Sequence, residues 1–210
     1  MNIKPEDRAS EMYNCQDSQE LAAKYDGWSE NYDRELKSEF DYTAPSRAVD
    51  TLLKYLPPKA QILDAGVGTG LVGELLYKQS YFNLEGMDIS PGMLEKAKAK
   101  NIYTNLYQKV MGEPLGFPTN SFDGIISVGT ITFGHAPASS FDELVRITKP
   151  FGYIIFTIRP DFYESGGAKE KLTQLEEAGK WQFVEVGEKF QPLAGVEPDI
   201  YFQVWVYKVS

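Results

Sequence analysis

Ile62-Leu63-Asp64-Ala65-Gly66-Val67-Gly68-Thr69-Gly70, followed by Leu84-Glu85-Gly86-Met87-Asp88-Ile89-Ser90, is the stretch on which the fold turns. Ile62 to Ala65 is a short apolar run bounded by turn residues, the mark of a buried strand. Glycines at 66, 68 and 70 then break it, and residues 70–77 carry helical spacing. Residues 84–89 form a second buried strand that reaches an acid, Asp88. Strand, turn, helix, strand is the unit of a parallel sheet, because the helix must carry the chain back to the starting edge.

The alternation continues downstream. Ser90 is placed as an N-cap with Pro91 at the first helical position, and that helix carries Met93, Leu94 and Ala97 to about Lys100. Strands are expected at 103–110, 122–128 and 153–158, with helices over 141–148 and 168–178. The last two strands, 181–186 and 200–209, are joined through Pro192, Gly195 and Pro198 with no helix between them, which predicts an antiparallel pair. Upstream, Asp17 or Ser18 caps a helix through Leu21, Ala22 and Tyr25. Pro45 opens another, with Ala48, Val49, Leu52, Leu53 and Leu56 at helical spacing before Pro57-Pro58 ends it. The expected architecture is α/β: a doubly wound, mostly parallel seven-stranded sheet with helices on both faces and an antiparallel terminal hairpin. Residues 1–56 are expected to form a helical lid or cap over a core of residues 57–210, in one compact domain.

Composition narrows the class. With 30 acidic and 21 basic residues the net charge is -9, which is expected to repel phosphate backbones and to exclude nucleic acid as a partner. The lone cysteine, Cys15, permits no internal disulfide and fits a reducing, cytoplasmic setting. No apolar run reaches the roughly 18 residues of a membrane helix, and the first residues lack a signal-peptide core, so no membrane partner is expected. No cluster of His, Cys and acids has metal-ligand spacing, so no metal is expected. The oligomeric state is not legible.

The glycine turn opens beyond the strand ends, where parallel sheets bind their ligands. Gly66, Gly68 and Gly70 allow the turn and let backbone approach a ligand. Gly68-Thr69-Gly70-Leu71-Val72-Gly73 fits the dinucleotide pattern, with Asp88 18 residues past Gly70 where about 20 is usual. Two features count against a dinucleotide. The turn begins one glycine too early, and Asp64 would place a carboxylate against a diphosphate. S-adenosylmethionine, with an ammonium and a sulfonium and no phosphate, suits Asp64 better. Asp88 would then accept the ribose hydroxyls, Ile89 would pack on the adenine, and Met93 would either join it or serve the core. The alternative is that Asp64 merely caps the turn, a role compatible with ligand contact.

Asp64-Ala65-Gly66-Val67-Gly68-Thr69-Gly70, the acid Asp88 and Phe122-Asp123-Gly124-Ile125-Ile126 together resemble the class I S-adenosylmethionine-dependent methyltransferases. Tyr25-Asp26-Gly27-Trp28-Ser29-Glu30-Asn31-Tyr32-Asp33, Phe133-Gly134-His135-Ala136-Pro137 and Glu143-Leu144-Val145-Arg146-Ile147-Thr148-Lys149-Pro150 resemble the methyltransferase-like proteins of the Williams–Beuren syndrome region. The resemblance implies a Rossmann-like methyltransferase fold and S-adenosylmethionine as cofactor, with S-adenosylhomocysteine as product. It implies that Val110-Met111-Gly112 lies beside the adenine, where the usual acid is missing unless Glu113 serves. The acceptor is expected over the ends of the fourth and fifth strands, with Ser127-Val128-Gly129 placed beside the cofactor, Thr130 toward the acceptor, and Phe133 in an apolar acceptor pocket. Ser127-Val128-Gly129-Thr130 lacks the two prolines and the aromatic of methylases that act on adenine or glutamine amines. Tyr25, Trp28 and Tyr32 form either one face of a lid or a packing face. His135, the sole histidine, is either a general base or a loop residue bonded to backbone. Arg159 would bind an acidic acceptor or sit in a salt bridge, and Tyr163 would line an apolar pocket. A small-molecule acceptor is favoured over a protein, with a non-catalytic S-adenosylmethionine or S-adenosylhomocysteine binder and an NAD-linked oxidoreductase as alternatives.

Overall fold

A computed structural model of the chain describes residues 12–36, 41–194 and 196–210. Of the expected N-terminal cap, residues 1–11 and 37–40 lie outside the described residues. Among the described residues, α1 (Ser18–Arg34) and α2 (Ala44–Leu52) precede the sheet region. The sheet region then runs β1 (Ile62–Ala65), α3 (Leu71–Lys78), β2 (Leu84–Asp88), α4 (Pro91–Ala99), β3 (Asn105–Gln108) and β4 (Phe122–Ser127). It continues through α5 (Ser140–Ile147), β5 (Thr148–Ile158), α6 (Pro160–Ser165), α7 (Ala168–Glu177), β6 (Trp181–Val186) and β7 (Gln203–Val209). The seven strands lie in the order β3-β2-β1-β4-β5-β7-β6. The first five are parallel, and β7 is antiparallel to both β5 and β6. The expected doubly wound sheet with its antiparallel terminal pair is what the chain forms.

Side-chain alternation sorts the core into two layers. On β1, Leu63 and Ala65 join one layer with Ile125, Ile154, Phe156 and the apolar sides of α5 and α7. Ile62 joins the other layer with Ile126, Ile155 and the apolar sides of α2 and α3. These strands are buried on both faces, so their sequences read as unbroken apolar runs rather than alternating ones. Residue α2 positions Ala44, Ala48, Val49 and Leu52 are built into that second layer. Helix α2, which the expected cap included, thus packs into the second core layer. A third, small cluster of Met12, Leu21, Trp28, Leu36 and Leu193 lies under α1.

Several ends differ from the sequence reading. The third strand is shorter than residues 103–110, because Tyr103 turns in to bond Asp64 and the chain beyond Gln108 leaves the ladder. The fifth begins earlier, at Thr148, since its edge pairs with Phe122 across a register shift. The short helix α6 was not foreseen, although Pro160 at its start follows the usual rule.

Helix α1 is anchored by its polar residues. Asp17 caps it, accepting from the backbone N–H groups of Gln19 and Glu20, both at 2.9 Å. Asp26 reaches α4, accepting from the Gly92 N–H at 2.8 Å and from the Ser90 hydroxyl. Asp33 accepts from the Thr69 hydroxyl and from Lys100 Nζ at 2.9 Å. The carboxylate at 26 therefore joins Ser90 in capping α4, whose own side-chain cap accepts from the Met93 N–H at 3.1 Å.

Candidate active site

The sheet reverses its winding between β1 and β4, and a cavity of about 390 Å³ opens beyond the strand tips there. Its floor is the turn after β1. The Gly66 and Val67 N–H groups both donate to the Met87 carbonyl at 2.9 Å, which pins the turn to β2. Gly66 has φ +85°, and a Cβ there would run into the Thr130 side chain. Gly68 is open to the cavity, with nothing within 4 Å of where a Cβ would stand.

Asp88 is the acid on the cavity wall. Its Oδ2 accepts from the Gly68 N–H at 2.8 Å and its Oδ1 from the Ser90 N–H at 3.0 Å. Burial raises its carboxyl above the ordinary range, while the N–H groups of Ser90, Gly68 and Ile89 pull it down. Each oxygen keeps a second lone pair for a ligand hydroxyl.

Asp64 stands elsewhere. Its neighbours Leu63 and Ala65 face one layer, so the two-residue period turns Asp64 to the other. There it is 1% exposed and its Oδ2 accepts from the Tyr103 hydroxyl at 2.7 Å. Its Oδ1 has no hydrogen-bond partner among the described residues. Burial pushes this carboxyl up to about 7. Asp64 does not line the cavity, so the electrostatic preference read from its sequence position does not act by direct contact here.

Of the other residues singled out for the cofactor, Tyr25, Tyr32, Gly66, Gly68, Ile89, Met93, Val110, Met111, Gly112, Val128 and Gly129 meet around the cavity. Five support it from behind. Ala65 and Val67 are buried, and Gly70 is the left-handed residue before α3. Ser127 donates its hydroxyl to the Ala65 carbonyl at 2.8 Å, and Trp28 donates Nε1 to Glu35 at 2.6 Å. Among the acceptor candidates only Thr130 reaches the wall. Phe133 packs edge-on against Phe162 with ring centroids 5.0 Å apart, and Tyr163 stacks on Trp205 at 4.9 Å. Arg159 is buried beneath the Tyr13 ring, 4.6 Å from its centroid, and pairs with both Asp161 oxygens at 3.0 and 2.6 Å. Its guanidinium is committed to a salt bridge, which removes it from acceptor binding in this conformation.

His135 is on the wall, and both ring nitrogens are engaged. Nδ1 lies 2.9 Å from the Phe133 carbonyl, which can only accept, so Nδ1 carries the proton. Nε2 then accepts from the Tyr25 hydroxyl at 2.8 Å. Burial lowers its pKa below the usual value, so the ring is neutral.

Sequence reasoning missed Cys15, Gln16, Leu21, Lys109 and Pro137 on the wall. Lys109 carried a signal, since it follows β3 at the level of Asp88, but the overlong third strand hid it. The N-terminal residues carried none, because only the docking of α1 brings them here. Among the described residues Lys109 is the sole basic side chain on the wall, and its Nζ lies 5.0 Å over the Phe117 ring. A diphosphate finds little positive charge in this cavity. Ile89, Met93, Val110 and Met111 offer apolar surface for a flat base, and Asp88 offers acceptors for a ribose. These residues fit S-adenosylmethionine. Among the described residues no group of three or more His, Cys, Asp or Glu side chains could hold a metal ion, and no helix is long and apolar enough to cross a membrane.

A Methyltransferase domain family matches residues 63–156. The chain is 38% identical to human Methyltransferase-like protein 27 over 165 residues, 75% of this chain and 66% of that protein. It is 33% identical to the 18S rRNA (guanine(1575)-N(7))-methyltransferase of Saccharomyces cerevisiae over 105 residues, 50% of this chain and 38% of that enzyme. The chain thus spans just under two thirds of the first relative and well under half of the second. A solved Thermotoga maritima structure, described as an S-adenosylmethionine-dependent methyltransferase and possible histamine N-methyltransferase, superposes with a TM-score of 0.61 at 24% identity. That match covers 88% of this chain and 97% of the other. The rRNA enzyme overturns one expectation. Net charge of the whole chain had excluded nucleic acid, yet a relative carrying this domain acts on RNA, because charge summed over a surface does not decide the charge at one site. Strand order, a cavity at the point of reversal and the sequence matches converge: residues 63–156 match a methyltransferase domain, and the chain has the fold of the class I S-adenosylmethionine-dependent methyltransferases.

Proposed function

We propose that the protein transfers the methyl group of S-adenosylmethionine to a small, uncharged acceptor held under α1. The observation that carries this is Asp88, fixed by the Gly68 and Ser90 N–H groups at the edge of a cavity with a single basic residue among those described. In this reading Asp88 binds the ribose hydroxyls, and Ile89, Met93, Val110 and Met111 flank the adenine. The cofactor brings the activated methyl carbon, so the protein's task is to bind, align and exclude water. Tyr25, Tyr32 and Leu21 of α1 close the cavity as a cover over the strand tips. Thr130 and His135 border the space left for the acceptor. A cytoplasmic setting belongs to this proposal, supported by the lone cysteine.

The similarity to the yeast enzyme favours a second reading, in which the acceptor is a base in RNA. Calorimetry with S-adenosylmethionine, S-adenosylhomocysteine and NAD tests the cofactor half: both sulfur nucleosides bind and NAD does not. Binding of NAD alone overturns it. Incubation with tritiated S-adenosylmethionine and either a small-molecule extract or total RNA tests the acceptor half. Label in the extract supports the first reading and label in RNA the second. If no S-adenosylhomocysteine forms with either, the protein is a binder without turnover.

A further inference from the structure

The Tyr25–His135 pair has a form that packing alone does not require. Tyr25 comes from α1 and His135 from the loop after β4, 110 residues apart in the chain. Both border the cavity. The imidazole is fixed at three sides. Its Nδ1–H is tied to the Phe133 carbonyl, and its ring lies 5.7 Å from the Tyr13 ring and 5.7 Å from the Tyr25 ring. Its one free lone pair, on Nε2, is spent on the Tyr25 hydroxyl at 2.8 Å. A base so placed does not meet an acceptor itself. The group it presents to the cavity is the phenol oxygen, which keeps a lone pair after donating its proton.

We infer that Tyr25 is the catalytic residue that meets a hydroxyl acceptor, and that His135 acts through it as the final proton store. This rests on the proposed methyl transfer. As the acceptor oxygen bonds the methyl carbon, the carbon–sulfur bond breaks and its electron pair stays on sulfur. The acceptor O–H proton passes to Tyr25 Oη, and the Tyr25 proton passes to His135 Nε2. The imidazolium that forms keeps its Nδ1–H on the Phe133 carbonyl, and its positive charge replaces the one lost from the sulfonium. The surroundings suit a ring that starts neutral. Arg159 faces it as a positive charge, paired with Asp161, and Asp88 and Glu197 lie beyond the two tyrosines. Burial holds the Tyr25 phenol far above its ordinary pKa, so it enters as a neutral donor and leaves unchanged. The relay also specifies the acceptor class. A guanine N7 has no proton to lose and needs no relay, whereas a phenol or enol does.

His135 is the sole histidine in the chain, so nitrogen-15 spectra report its tautomer and charge without assignment. The probe is para-nitrophenol, whose anion absorbs apart from the neutral form, added to the full chain saturated with S-adenosylhomocysteine. The pH is set where the free phenol is largely neutral. The expected result is an ionised fraction of bound phenol above that of free phenol, matched by an equal imidazolium fraction at His135. In Tyr25→Phe, brought to saturation by the same calorimetric criterion, the ionised fraction falls about tenfold, the equivalent of one pKa unit. His135→Gln gives the same loss and stands in if Tyr25→Phe does not fold. Equal ionisation in Tyr25→Phe, ionised phenol beside a neutral His135, or no phenol binding to the S-adenosylhomocysteine complex overturns the relay while leaving the cofactor site standing. Failure of the wild type to bind S-adenosylhomocysteine overturns the methyl-transfer reading, and the relay with it.

Discussion

Asp88 ends β2 and Asp64 stands one residue before the end of its parallel neighbour β1, in register with Gly86, two residues short of Asp88. One is sealed against Tyr103 with an oxygen unpartnered among the described residues, and the other stands on the cavity wall with both oxygens held by backbone N–H groups. Nearness to a glycine turn therefore does not decide which carboxylate meets a ligand. The side of the strand decides it, and a shift of one residue would exchange the two layers. The acid that looked most informative in the sequence is sealed from the cavity, and the acid at the end of the adjacent strand lines it.

The largest effect expected from breaking this arrangement is at the turn between the two acids. Gly66→Ala adds a Cβ at φ +85° against Thr130, which costs about 2–6 kcal/mol in backbone strain and overpacking. Urea unfolding and calorimetry should show lowered stability and lost S-adenosylmethionine binding together. A variant with wild-type affinity would mean the turn is more tolerant than its geometry indicates.

Asp64 comes next, and its effect depends on pH. The folded protein holds this carboxyl near 7 and the unfolded chain near 3.8, so folding takes up a proton between those values. Its stabilising contribution is full below about 3.8, declines as pH rises, and is lost above about 7. Asp64→Asn should flatten that decline and make the protein more stable than wild type above neutrality, by something on the order of 2–4 kcal/mol. Melting curves of both proteins at acid and alkaline pH check this. An unchanged pH dependence would place the proton elsewhere.

Asp88→Ala should leave stability nearer wild type and weaken S-adenosylmethionine binding by on the order of 10²–10⁴-fold, the worth of charge-assisted hydrogen bonds to two hydroxyls. Affinity unchanged in Asp88→Ala but reduced in Asp64→Asn would invert the contrast between the two acids. Asp26→Ala should have the smallest effect, about 1 kcal/mol, through loss of the shared cap on α4. Hydrogen exchange should quicken in α1 and stay slow in β1 and β4, which separates the cover from the strands it covers.

How much of this was legible follows from where each signal resides. Ser90 before Pro91, Asp17 before α1 and the paired apolar residues of β4 are local patterns with local causes, and the elements they predict form. Strand ends were less legible, because Tyr103 and Gln108 leave or join the ladder according to partners far along the chain. Phe133, Arg159 and Tyr163 were read as acceptor residues from their place after β4 and β5. They pack instead with Phe162, Asp161 and Trp205, which no spacing rule connects to them.

The sequence by itself determined the strand–turn–helix rhythm, the sheet it winds into, and a glycine turn with an acid on the following strand. These follow from residue type and periodicity over a few positions. Only the tertiary structure decided which acid faces the ligand, which side chain His135 engages, and what roofs the cavity. Those depend on the side to which a strand residue points and on α1 docking through Asp26 and Asp33 onto segments distant in the chain. Contacts closed over such separations follow from the packing of the whole molecule, and no stretch of sequence read alone contains them.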